Sequence, residues 1–121
     1  MPIQNILVVE DSPTDRHYLT EILAKHGYKV SSADSAEEAL VKVKELRPDL
    51  VLMDVVLPGQ NGYHATRVLS RDESTKHIPV IICTTKGQET DRIWGMRQGA
   101  RDYIVKPVTA ADLLAKISAL G

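Results

Sequence analysis

Four short stretches of this 121-residue sequence hold side chains suited to chemistry. Glu10 and Asp11 follow "NILVV", and Thr84 and Thr85 follow "VIIC". Lys106 and Pro107 follow "YIV", and Asp54 stands inside "DLVLMDVVLPGQNG", Asp49 to Gly62. The run Leu50 to Leu57 is apolar enough to be a buried strand, yet it carries this aspartate at its centre. Burying an unpaired carboxylate costs several kcal/mol, so Asp54 sits where a strand surfaces, pairs with a cation, or has a chemical task. Singly, each polar residue has a plain structural reading: Asp11 as a helix cap, Thr84 on a backbone group, Lys106 in solvent. Together they describe a reaction. Glu10, Asp11 and Asp54 converging on one site would repel one another and raise each other's pKa unless a cation lay between them. Oxygen donors without histidine or cysteine point to Mg2+, which takes one or two carboxylates plus phosphate oxygens. In that setting Asp54 is a nucleophile able to form an acyl phosphate. Lys106 supplies a compact positive charge, and the Thr84 hydroxyl a hydrogen bond, to phosphoryl oxygens.

Convergence requires elements that bring distant residues together. Five strand-length apolar runs recur, Asn5 to Val9, Lys29 to Ala33, Leu50 to Met53, Val80 to Thr84 and Tyr103 to Val105. Segments of helical period separate them. Ser12 and Pro13 open the first helix, whose apolar residues are Leu19, Ile22 and Leu23, and Gly27 closes it. Ser35 with Glu38 predicts a capping box, and Thr109 with Asp112 a weaker one. The third helix is expected around Ala65 to Leu69, and the fourth around Asp91 to Gln98 with Ile93 and Met96 toward the core. Strand and helix alternate, and four of the five runs are apolar without alternation, as in a parallel sheet covered on both faces. The second run, with Ser31 and Ser32, reads as an edge. The expectation is one doubly wound α/β domain, (βα)5, over residues 1–121 with no output domain. Such sheets bind ligands at the carboxyl ends of their strands, where all the residues above fall. Strand order 2-1-3-4-5 would set Asp54 beside Asp11, with their carboxylates within roughly 8 Å; order 3-2-1-4-5 would separate them by two strands.

The totals narrow the function. Fifteen Lys and Arg nearly balance sixteen Asp and Glu, without like-charge blocks, so nucleic acid and anionic membrane are not favoured partners. No apolar segment approaches the ~20 residues of a membrane span, and no signal peptide opens the chain. The one cysteine, Cys83, lies in an apolar run and reads as a core residue. These features fit a cytoplasmic monomer that does not insert into a membrane.

The stretches "EDS", "MDVVLPGQNG", "CTTKG" and "DYIVKP" resemble the receiver domain of bacterial two-component response regulators, the CheY-like family, over essentially the whole chain. The spacings carry the resemblance: Asp54, Pro58 four and Gly62 eight residues later, Thr84, Tyr103 nineteen residues on, then Lys106-Pro107. It implies a flavodoxin-like sheet of order 2-1-3-4-5. It further implies that Asp54 accepts phosphate from a kinase phosphohistidine or a histidine phosphotransfer domain. Glu10, Asp11, Asp54 and the Val56 backbone carbonyl would hold Mg2+. Thr84 and Tyr103 would form a switch pair in which Tyr103 turns inward, reshaping a face of helix four, strand five and helix five for a downstream protein partner. The Lys106-Pro107 bond is expected to be cis. "DSPT" and "TTKGQETDRIWGMRQGARDYIVKPV" further resemble the single-domain regulators of type IV pilus twitching motility. Val56, Thr85 and Lys86 depart from the chemotaxis members and are expected to tune the phosphoryl lifetime.

Trp94 is either a partner anchor or plain packing. The basic tilt of Lys86, Arg92, Arg97 and Arg101 is either a solvated face or a complement to an acidic partner. His17, His26, His64 and His77 lack ligand spacing and read as solvated or locally bonded. A haloacid-dehalogenase-type phosphatase would need an aspartate at position 56, where this chain has valine. A nucleotide binder would need a glycine-rich turn after the first run, where "VVEDSPTD" has none. A signalling receiver rather than a conventional enzyme remains, either an output regulator or a phosphate sink for a sister regulator.

Overall fold

The computed structural model describes residues 2–59 and 61–120. Five strands alternate with five helices: β1 (Asn5–Val9), α1 (Pro13–Lys25), β2 (Lys29–Ala33), α2 (Ala36–Leu46), β3 (Leu50–Met53), α3 (Gly62–Arg71), β4 (Val80–Thr84), α4 (Glu89–Arg97), β5 (Asp102–Val105) and α5 (Ala110–Leu120). All strand pairings are parallel, in the order β2-β1-β3-β4-β5 that the site required. The serine-bearing β2 is an edge, as its composition foretold.

Successive strand residues point to opposite faces, so an unbroken apolar run feeds two cores. Ile6, Val8, Leu50 and Leu52 pack with Leu19 and Leu23 of α1 and with Leu113 and Ile117 of α5. Leu7, Val9, Val51 and Met53 pack with Ala39 and Val43 of α2 and with Ala65 and Leu69 of α3. Cys83 is fully buried in the first of these cores, and burial pushes its thiol up to about 12.

The helix boundaries follow local chemistry. The Ser12 side chain accepts from the Asp15 amide, with Pro13 opening α1, and Gly27 takes φ +89° just beyond the helix. Ser35 caps α2 by accepting from Glu38, but the expected reciprocal bond is displaced: Glu38 Oε1 accepts from the Asp34 amide, one residue before the cap. Asn61 caps α3 and Thr109 accepts from Asp112 at the start of α5.

The fourth helix departs from expectation. Ile93 and Met96, expected toward the core, are exposed, as is Trp94 at 49%. The buried position within α4 is Gly95, where a Cβ would meet Ile82 Cδ1 at 2.8 Å and Tyr103 Cε2 at 2.9 Å. The helix therefore approaches the sheet through backbone, leaving its large apolar side chains outward. A glycine with bulky neighbours gives an apolar pattern that points to the wrong face.

Candidate functional site

The ends of β1, β3, β4 and β5 meet at one edge of the sheet because the parallel ladder continues just past each strand. The Asp54 amide donates to Val9 O at 3.1 Å, fixing the residue after β3 beside the end of β1. The Lys106 amide donates to Thr84 O at 2.8 Å, doing the same for β5 and β4. The strand β3 ends at Met53, so Asp54 sits where the strand reaches the surface while remaining 6% exposed. Gly62 shapes the loop behind it: a Cβ there would collide with the Asp54 carbonyl oxygen. Any other residue would push the start of α3 away from the site.

Carboxylate oxygens of Glu10, Asp11 and Asp54 lie within 4.8 Å of one another, inside the 8 Å limit set by the sequence argument. Lys106 Nζ reaches into this cluster, 2.6 Å from Glu10 Oε2 and 3.1 Å from Asp54 Oδ2. Asp54 Oδ1 accepts from the Val56 amide at 3.0 Å, so the two oxygens of Asp54 are held in different ways. The Lys106-Pro107 peptide is cis.

Burial pushes the Glu10 carboxyl up to about 8; the neighbouring Asp54 charge adds to this and Lys106 opposes it. Burial alone would lower the Lys106 ammonium, but its close ion contact with Glu10, its hydrogen bond to Asp15 and the charge of Asp54 outweigh that and raise it. The lysine is therefore charged across the physiological range. Glu10 is 1% exposed, and neither of its oxygens has a hydrogen bond of good geometry despite the short ion contact at Oε2. A buried glutamate whose Oε1 has no donor and whose Oε2 has only the Lys106 ion contact, beside two further carboxylates and no histidine or cysteine ligand, fits a small hard divalent cation.

The other predicted residues divide into two groups. Thr84 is fully buried, and its Oγ1 lies 3.4 Å from the Lys86 amide. Tyr103 has its ring inward, 1% exposed, with its hydroxyl donating to Lys86 O at 2.7 Å. Thr85 and Lys86 are exposed, and Val56 is 50% exposed. The histidines stay apart, with His17 beside Glu21 and His26 on the Ile22 carbonyl; among the described residues the only cluster with ligand geometry is that of Glu10, Asp11 and Asp54.

Two residues at the site escaped the sequence argument. Asp15 Oδ2 lies 2.9 Å from Lys106 Nζ, a third carboxylate on the ammonium. Its spacing of four from Asp11, about one helical turn, was the available signal. Tyr63 Oη lies 3.1 Å from Tyr103 Oη, and nothing in the sequence announces that contact.

The family model for the response regulator receiver domain matches residues 6–118. The chain belongs to the response regulator receiver family. Protein PilH of Pseudomonas aeruginosa is 52% identical over 115 residues, 95% of each chain. The phosphate regulon transcriptional regulatory protein PhoB of Escherichia coli is 38% identical over 97% of this chain, which spans about half of PhoB. Among solved structures, the chemotaxis protein CheY4 of Vibrio cholerae superposes with a TM-score of 0.91 at 27% identity, covering 98% of this receiver and 99% of that chain. The BeF3-activated receiver domain of Klebsiella pneumoniae RstA gives a TM-score of 0.87 at 30% identity, covering 96% and 97%. The receiver is thus a two-component signalling domain of CheY-like fold, and its Glu10, Asp11 and Asp54 form an acidic cluster. No helix among the described residues is long and apolar enough to cross a membrane.

Proposed function

We propose that this receiver takes a phosphoryl group onto Asp54 from the phosphohistidine of a kinase or phosphotransfer domain, and signals through a protein partner in type IV pilus twitching motility. The observation that carries the proposal is the convergence of Glu10, Asp11 and Asp54 within 4.8 Å, with Lys106 on Asp54. An Asp54 carboxylate oxygen forms the new O–P bond while the N–P bond of the donor breaks, and the imidazole leaves with that electron pair. Mg2+, held by Glu10, Asp11, Asp54 and the Val56 carbonyl, would neutralise charge between the carboxylates and the phosphoryl oxygens. The Val56 amide orients one oxygen of Asp54. Lys106 faces the other and stays close enough to pair with a phosphoryl oxygen. Thr84 supplies a hydroxyl from the end of β4, and with Tyr103 it links the site to the face of α4, β5 and α5. The exposed Ile93, Trp94, Met96 and Val105 on that face support a protein-binding role, and the 52% identity with PilH supports the pilus pathway.

Intact-mass spectrometry after incubation with acetyl phosphate tests the reading. A single Mg2+-dependent phosphoryl adduct is expected on the parent and none on Asp54→Asn. An adduct that survives Asp54→Asn refutes the choice of nucleophile.

A further inference from the structure

The hydrogen bonds around Tyr103 reach a residue that phosphoryl transfer does not use. Tyr103 Oη spends its one proton on Lys86 O, 2.7 Å away, so it is the acceptor in its contact with Tyr63. Tyr63 Oη, 3.1 Å from Tyr103 Oη and 3.3 Å from the Asp91 carbonyl, shares its proton between them. On the far side of Lys86, its amide faces Thr84 Oγ1. One path thus runs from Tyr63 in α3, through Tyr103 in β5 and the loop after β4, to Thr84. The ring itself is closely bounded: the Arg92 guanidinium lies 5.7 Å from its centroid, and Gly95 leaves the space that a Cβ would take from it.

We infer that Tyr63 is a positioning residue of the switch: its hydroxyl holds the Tyr103 phenol in the buried position and so weights the Thr84–Tyr103 pair toward the inward arrangement. The inference rests on the switch reading given above. Tyr63→Phe keeps the ring of residue 63 and removes the hydroxyl, leaving Tyr103 its bond to Lys86 but not the donor from α3. Loss of one neutral hydrogen bond shifts such a two-state population about fivefold.

Nitration by tetranitromethane, read by peptide mass spectrometry, reports the exposure of each tyrosine. Tyr18, 47% exposed, is the internal reference. In the parent, Tyr103 is expected to be protected. In Tyr63→Phe its nitration should rise about fivefold with Tyr18 unchanged, and beryllofluoride with Mg2+ should restore protection. Gly95→Ala, whose methyl claims the space of the ring, is the positive control for an outward Tyr103. No rise at Tyr103 in Tyr63→Phe overturns the inference, and so does an equal rise at the remote Tyr28, which indicates general loosening. A rise confined to Tyr103 that beryllofluoride does not reverse leaves the latch standing and overturns the switch reading.

Discussion

Replacing Lys106 by methionine should make the stability of this receiver depend strongly on Mg2+. The Lys106 side chain is 12% exposed and its ammonium touches Glu10, Asp15 and Asp54, of which Glu10 and Asp54 are themselves buried. Removing one partner of a buried ion pair costs roughly 3–5 kcal/mol. Glu10, raised to about 8 even with the ammonium beside it, is already largely neutral at pH 7 and stays so when the ammonium is removed, so the lower end, about 3 kcal/mol, is expected. For a domain of this size that lowers Tm by roughly 10–15 °C in EDTA. Mg2+ changes the comparison, because in the parent the ammonium occupies the carboxylates that would hold the ion. Single and double positive charges about 5 Å apart repel by roughly 6–7 kcal/mol at an effective dielectric constant of 20. Retreat of the flexible lysine toward Asp15 relieves most of this. If about 2 kcal/mol remains, Lys106→Met binds Mg2+ about thirtyfold more tightly than the parent. At Mg2+ concentrations well above both dissociation constants, the deficit should therefore shrink from about 3 to about 1 kcal/mol. Urea unfolding of both proteins in EDTA and in Mg2+ measures the four stabilities. A deficit of the same size under both conditions would refute the claim that lysine and cation compete for one set of carboxylates.

Val56, Thr85 and Lys86 are exposed; valine has no polar group, the Lys86 ammonium is no acceptor for a hydrolytic water and Thr85, larger than alanine, narrows the approach, so the phosphoryl group on Asp54 should be long-lived. The triple variant Val56→Asn, Thr85→Ala, Lys86→Glu should lose it about five- to thirtyfold faster, and decay at the parental rate would remove these residues from the timing. The amide and hydroxyl of Ser74 and the ammonium of Lys44 hold the Asp72 carboxyl down at about 2, against 3.8 in its ordinary range. A depressed folded value stabilises the protein above the unfolded value and is lost on acidification, so its contribution should fade as pH drops from 3.8 toward 2. Urea midpoints across that window should fall less steeply in Asp72→Asn than in the parent; identical slopes would show that this carboxyl is not linked to folding.

The chain's order of strands and helices was legible because its physical causes are local. Unbroken apolar runs of strand length need cover on both faces, and Ser12-Pro13, Gly27 and Ser35 mark helix ends through backbone groups within a few residues. The candidate site was legible for a related reason. Glu10, Asp54, Thr84 and Lys106 fall where apolar strands run out, and a parallel sheet brings those ends together once its strand order is known. Packing hid the rest. The outward turn of Ile93 and Met96 follows from the close approach at Gly95, which depends on Ile82 and Tyr103 beneath it rather than on the period of α4. Glu38 reaches Asp34 instead of Ser35 because loop geometry, not spacing, decides which amide is nearer.

Sequence by itself determined the fold, the family and the polar residues that gather at the strand ends, since each is written in local pattern or in motif spacing. Tertiary structure alone decided which partners those residues meet. Asp15 joins Lys106 across 91 positions, and Tyr63 joins Tyr103 across 40. Contacts of about 3 Å between side chains on different elements are fixed by how helices seat on the sheet. Periodicity assigns a residue to a face of its element, and packing sets what stands opposite.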